Sequence, residues 1–229
     1  MNTDQIIIAL DVPSLDQAIA LVEQLPTVTF WKVGLELFTS CGIEIIRYLK
    51  SRNKKVFLDL KLHDIPNTVA ATCRVLAKYE VDFLTVHAIG GRAMLEAAQS
   101  EIKGSSTQLL AVTILTSISA QELGADLKIP LELSDYVLTL ALMAQASGIA
   151  GCVCSAHELK VLRSHIQSNF YLVTPGIRLG GGINQDQNRV MTPKQAIALG
   201  ADYLVIGRPI TQAPNPLAVW QEICQQIST

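Results

Sequence analysis

Asp59, Lys61 and Asp64 form a DxKxxD pattern in the run Val-Phe-Leu-Asp-Leu-Lys-Leu-His-Asp, directly after the apolar lead-in Val56, Phe57, Leu58. Strand side chains alternate with period two, so the spacing predicts Asp59 and Lys61 on one side and Val56, Leu58, Leu60 and Leu62 on the other. Opposite charges at the end of a hydrophobic strand are a poor device for stability, because buried ion pairs often fail to recover their desolvation cost. The pattern therefore points to chemistry carried by charge. A structural salt bridge at a strand end is the plainer alternative, since such networks also perturb pKa values.

The elements that must hold these groups can be traced along the chain. Strand-like apolar runs occur at 6–10, 29–33, 56–60, 83–86, 109–115, 151–154, 171–173 and 203–206, with helical segments between them. Continuous apolar strands alternating with helices imply a parallel sheet covered by helices, and eight such units predict a single closed (β/α)8 TIM barrel spanning residues 1–229. An open doubly wound sheet is the other arrangement this order allows. Helix starts are marked by capping-box spacings at Ser14/Gln17, Ser119/Glu122, Ser155/Glu158 and Thr192/Gln195. Pro193 and Pro216 suit first-turn positions, and Gly200 suits a C-terminal stop. The one long loop signal is 178–189, where Gly180, Gly181 and Gly182 stand in a row, as expected of a lid over a ligand.

In such a barrel the loops after the strands gather at the C-terminal face. Read in order, the strand ends present Asp11; Lys32; Asp59, Lys61 and Asp64; His87; Thr116 and Ser117; Ser155; Thr174 to Arg178; and Gly207 with Arg208. Singly, each has a structural explanation: Asp11 or Ser155 as a helix cap, Lys32 as a solvent-exposed side chain. Their convergence on one mouth is harder to explain that way. The seventh and eighth units read as an anion site, with glycines for close backbone approach and Arg208 suited to bidentate phosphate contacts. His63, beside the charged motif, is expected to be a hydrogen-bonded structural histidine.

Composition narrows the partners. The chain has 229 residues, of which 49% are hydrophobic and 17% charged, with a formal net charge of -2. That suffices for a large core, and it provides no general field to attract nucleic acid or an anionic membrane. The N-terminus lacks the basic and apolar regions of a signal peptide, which predicts a cytoplasmic protein. The odd, scattered cysteines Cys41, Cys73, Cys152, Cys154 and Cys224 read as reduced core thiols, and the Cys-x-Cys at 152–154 is a poor match to zinc spacings, so no metal site is expected.

At the level of whole motifs the sequence resembles the orotidine 5′-phosphate decarboxylase family, in its compact bacterial type. The resemblance runs through ALDV (9–12), WKVG (31–34), FLDLKLHDIPNT (57–68), TVHA (85–88), VTILTS (112–117), VTPGIR (173–178) and VIGRPIT (205–211). DxKxxD alone is shared with sugar-phosphate decarboxylases and synthases; the long form, with TPGIR and IGRPIT in place, is specific. The resemblance implies cofactor-free decarboxylation of orotidine 5′-monophosphate. It implies that Asp11 and Lys32 hydrogen-bond the ribose, and that Lys32, Asp59, Lys61 and Asp64 form an alternating charge array. It implies a homodimer with shared sites, Asp64 and Thr68 reaching the neighbour's. Thr116 and Pro175 would contact the substrate, Gln187 would bridge lid, base and phosphate, and Arg178, Gly207 and Arg208 would hold the phosphate. Leu179 and the three glycines stand where many relatives have a proline-containing sequence.

The chemistry so implied leaves a vinyl carbanion at C6 with no adjacent π system, so stabilisation must be electrostatic: Lys61 protonates the carbanion and Asp59 faces the departing carboxylate. The competing readings are a Mg²⁺-dependent sugar-phosphate decarboxylase or synthase of the same superfamily, and a non-catalytic nucleotide-binding barrel.

Overall fold

The computed structural model describes residues 3–178 and 191–228. Its strands are β1 (Ile6–Ala9), β2 (Phe30–Gly34), β3 (Lys55–Leu62), β4 (Phe83–His87), β5 (Gln108–Val112), β6 (Gly151–Val153), β7 (Tyr171–Thr174) and β8 (Tyr203–Ile206). All pair in parallel with their sequence neighbours, and β1 pairs with β8, so the sheet closes into a barrel. The helices are α1 (Leu15–Gln24), α2 (Leu35–Cys41), α3 (Glu44–Ser51), α4 (Pro66–Ala77), α5 (Gly91–Ile102), α6 (Ala120–Ala125), α7 (Leu133–Ala146), α8 (Leu159–His165), α9 (Pro193–Ala198), α10 (Arg208–Thr211) and α11 (Pro216–Ser228). This is the (β/α)8 barrel that the eight apolar runs predict. Among the described residues no helix is long and apolar enough to cross a membrane.

Alternation along the strands divides the apolar residues between two cores. Ile7, Ala9, Phe30, Phe57, Phe83, Leu110, Val173 and Val205 point inward and fill the barrel. Phe83 meets Phe30 at 5.3 Å and Tyr203 at 5.1 Å between ring centroids, which plugs the N-terminal half with aromatic contacts. Ile6, Ile8, Trp31, Val33, Val56, Leu58 and their like face outward into the helix layer. Each buried aliphatic or aromatic side chain of this kind contributes about 1.5–3 kcal/mol.

Several boundaries depart from the sequence reading. β5 stops at Val112 rather than running to Leu115, with the Thr113 N–H and hydroxyl still bonded to the Val153 carbonyl at 3.4 and 3.2 Å. The Ser119, Ser155 and Thr192 boxes form with both reciprocal bonds, whereas Ser14 only accepts from the Gln17 N–H. Pro193 and Pro216 open α9 and α11, and Gly200 follows α9 with a φ of 102°.

The largest departure lies in β3. Leu58 pairs with Leu84 and Leu62 with Val86, so Asp59, Leu60 and Lys61 stand opposite Thr85 alone. Lys61 has a φ of 51°, a left-handed conformation that costs a non-glycine residue about 1–3 kcal/mol. Asp59 and Lys61 do face the same way, as expected, but through a bulge and not through regular alternation.

Candidate active site

At the C-terminal mouth, strand register sets the charged groups in rows. Ala9 lies beside Lys32 and Gly34 beside Asp59. The Lys32 Nζ donates to Asp11 Oδ1 at 2.9 Å and lies 3.6 Å from Asp59 Oδ2. The same Asp59 oxygen accepts from Lys61 Nζ at 2.9 Å. Asp59 Oδ1 accepts from the Thr85 hydroxyl at 3.0 Å. The result is an alternating chain Asp11–Lys32–Asp59–Lys61 within one molecule. Gly34 makes room for it, since a Cβ there would stand 2.9 Å from the Lys32 ammonium.

Asp59 is only 9% exposed. Burial pushes its pKa up, but the ammonium groups of Lys32 and Lys61, with hydrogen bonds from Lys61 and Thr85, outweigh this and leave it below the usual carboxylate value. The carboxylate is thus charged at neutral pH and fixes two cations.

A cavity of about 450 Å³ opens above this array. Its floor is the top of the barrel core, through Ala9, Phe57, Val153 and Val205. The lining carries four cationic side chains, Lys32, Lys61, Arg178 and Arg208, and three anionic ones, Asp11, Glu36 and Asp59. Lys61 and Asp59 come from β3; Arg178 and Arg208 follow β7 and β8, and in the closed ring β7 stands opposite β3. Arg178 is anchored through its backbone N–H, which donates to Met191 O at 3.0 Å beside the bridge between Ile177 and Met191. A site lined by fixed charges of both signs and by two guanidinium groups suits an anionic ligand of nucleotide size.

Comparison with known proteins agrees. Residues 4–223 match the orotidine 5′-phosphate decarboxylase / HUMPS family. The chain belongs to this family. Within it, orotidine 5′-phosphate decarboxylase from Gloeothece citriformis is 54% identical over 230 residues, covering 100% of this chain and 99% of that protein. The enzyme of the same name from Synechocystis is 51% identical, with 100% of both chains covered. The crystal structure of orotidine 5′-phosphate decarboxylase from Lactobacillus acidophilus matches with a TM-score of 0.87 at 40% identity, covering 99% of this chain and 100% of that one.

Of the residues that the family resemblance singles out, Asp11, Lys32, Asp59, Lys61, Thr116, Pro175, Arg178, Gly207 and Arg208 line the one cavity. Asp64 and Thr68 do not: both are exposed, and Asp64 Oδ1 accepts the N–H of Ile65 at 2.6 Å. Gln187 and the triple glycine lie outside the described residues. His87, Ser117 and Ser155 end or follow strands without lining the cavity, and Ser155 caps a short helical turn, as its plainer reading has it. His63 is exposed and packs its ring 5.5 Å from that of His87, in place of the expected hydrogen-bonded role. Glu36 and Gln212 line the cavity although no sequence argument selects them. Glu36 sits two residues beyond WKVG and Gln212 follows IGRPIT, so nearness to a motif is the only signal they carry.

Proposed function

We propose that this protein decarboxylates orotidine 5′-monophosphate to uridine 5′-monophosphate and CO2 without a cofactor, the final step in making that nucleotide. The observation that carries this reading is the Lys61 ammonium, held 2.9 Å from a buried carboxylate that it shares with Lys32, in a cavity that Arg178 and Arg208 also line. The phosphate goes to Arg178, Arg208 and the backbone of Gly207; the ribose to Asp11 and Lys32; the pyrimidine to Thr116 and Pro175. C6 then lies at Lys61.

As the C6–carboxylate bond breaks, its electron pair stays on carbon and CO2 leaves. Lys61 stabilises the carbanion and donates the proton that replaces CO2. Asp59, ionised by its two cations, faces the departing carboxylate. Two unit charges about 4 Å apart interact by about 4 kcal/mol at an effective dielectric of 20. Accelerations at the top of the ordinary range need about 23 kcal/mol. Repulsion by Asp59 is therefore a minor part; preorganised charge over an apolar floor, and phosphate binding used in the transition state, supply the rest.

The active form in this reading is a homodimer in the cytoplasm, the compartment that an odd cysteine count favours. Ile65, Ile89 and Leu115 are exposed just after the neighbouring strands β3, β4 and β5, an apolar rim that a second copy would cover. Asp64 and Thr68 are exposed beside Ile65 and do not line their own cavity, which suits delivery to the partner's site.

The test is loss of orotidine 5′-monophosphate absorbance in metal-free buffer, with and without EDTA. Turnover unaffected by EDTA is expected. Absence of turnover sinks the reading, and activity abolished by EDTA favours the metal-dependent sugar-phosphate chemistry.

A further inference from the structure

The bulge in β3 leaves a gap in the sheet ladder, and one side chain fills it. Three β3 residues, Asp59, Leu60 and Lys61, face the single β4 residue Thr85, so the Lys61 N–H has no carbonyl of the regular ladder to meet. It donates instead to the Thr85 hydroxyl, at 2.8 Å. That hydroxyl in turn lies 3.0 Å from Asp59 Oδ1. A hydroxyl has one proton and two lone pairs. With a lone pair taken by the Lys61 N–H, its proton is directed to the carboxylate, and the order Lys61 N–H to Thr85 O–H to Asp59 is fixed. Thr85 is fully buried and absent from the cavity lining, so it touches no ligand.

We propose that Thr85 is a positioning residue for the decarboxylation, its hydroxyl locking the bulge that presents Asp59 and Lys61 to the cavity. The role rests on the function proposed above. Two features give it force. Lys61 holds a φ of 51°, which persists only where surrounding bonds over-determine it, and the bond from its N–H to Thr85 acts directly on that residue's backbone. The two oxygens of Asp59 are also divided: Oδ2 faces both ammonium groups and Oδ1 faces Thr85, so the hydroxyl sets the carboxylate's rotation. Valine has the same shape but no hydroxyl. In its place the Lys61 N–H and Asp59 Oδ1 both lose a partner, and the bulge relaxes toward a regular strand that moves the ammonium.

The experiment compares wild type with Thr85→Val, Thr85→Ser and Thr85→Ala, reading kcat and KM for orotidine 5′-monophosphate and, by calorimetry, the affinity for uridine 5′-monophosphate. Thr85→Val and Thr85→Ala should lower kcat about 100-fold, the scale of a misplacement near 1 Å. KM and product affinity should hold within about threefold, because Arg178, Arg208 and Asp11 are untouched. Thr85→Ser, which keeps the hydroxyl, should return kcat to within about threefold of wild type. If Thr85→Val folds poorly, the serine and alanine pair still isolates the hydroxyl. Wild-type kcat in Thr85→Val, or in Thr85→Ala, overturns the proposal. So does a serine variant as slow as alanine, which would assign the effect to the methyl group, or a product affinity that falls in parallel with kcat. A wild-type protein that turns over no substrate overturns the proposed function, and this role with it.

Discussion

Two ion clusters at opposite ends of the barrel use the same residue chemistry to different ends. At the N-terminal end Arg163 pairs with Asp202 and also donates to the carbonyls of Gly200 and Phe170, while Asp202 accepts the N–H of Leu172 at 2.7 Å. That cluster directs its bonding capacity into the backbone and ties α8 to the strand ends. At the C-terminal end Lys32, Asp59 and Lys61 bond chiefly to one another, with Thr85 and Asp11 as further partners. An ammonium has three donors, and the Lys61 Nζ bond to Asp59 uses one, so the group faces the cavity with capacity left for a ligand. Burial and ion pairing alone do not mark a reactive site. What marks it is bonding directed at other side chains around a cavity and not at the backbone.

The sharpest way to break this contrast is Lys61→Ala. General acid catalysis alone is worth about 10²–10⁴-fold and charge stabilisation adds to it, so kcat should fall by at least that much while the thermal melt stays near wild type. More than a tenth of wild-type activity would remove Lys61 from the mechanism.

The dimer reading is sharpened by mixing. Asp64→Asn and Lys61→Ala, each inactive alone, are mixed after mild dissociation and refolding. A heterodimer then has one site with both substitutions and one with neither, and random pairing restores up to about a quarter of wild-type activity. No recovery in demonstrated heterodimers would detach Asp64 from the neighbour's site.

Arg208→Ala tests the far wall of the cavity. KM should rise by about 10- to 100-fold, the loss of a charge-assisted contact of about 1.5–3 kcal/mol, and kcat should fall as well if phosphate binding drives the reaction. An unchanged KM would separate Arg208 from the phosphate.

The opposite cluster should answer in stability and not in rate. Arg163→Ala is expected to lose about 1–3 kcal/mol, read as about 2–4 °C in Tm for each kcal/mol, with kcat unaltered. A change in kcat with an unchanged Tm would reverse the contrast.

The smallest effect concerns acid. Asp59 sits below its ordinary 3.8 in the folded protein despite burial, so its stabilisation is present above that value and is lost as pH falls through the folded one. The Tm difference between wild type and Asp59→Asn should therefore change little from about pH 7 to 5 and shift against the wild type below about pH 4. A difference independent of pH down to the acid transition would show that the carboxylate gains nothing from its two cations.

The sequence by itself determined the barrel and most of its mouth. Eight apolar runs separated by helix signals allow few closed arrangements, because parallel strands must be buried on both faces and their loops then gather at one end. Asp11, Lys32, Asp59, Arg178 and Arg208 are legible for that reason: Lys32 and Asp59 lie in the C-terminal parts of β2 and β3, and the others follow β1, β7 and β8. Glu36 and Gln212 were not, since which residue of a short helix turns toward the cavity depends on how the helix packs. Only the tertiary structure decided how Asp59 and Lys61 meet. Period two assumes an intact ladder, whereas at the bulge opposite Thr85 a hydroxyl from a strand over twenty residues away takes the N–H that the ladder leaves open. Tertiary structure likewise parted Asp64 from the motif it is written in. Asp64 follows the end of β3, is exposed and is not among the residues lining the cavity, and local spacing cannot show on which side of a chain reversal a side chain emerges.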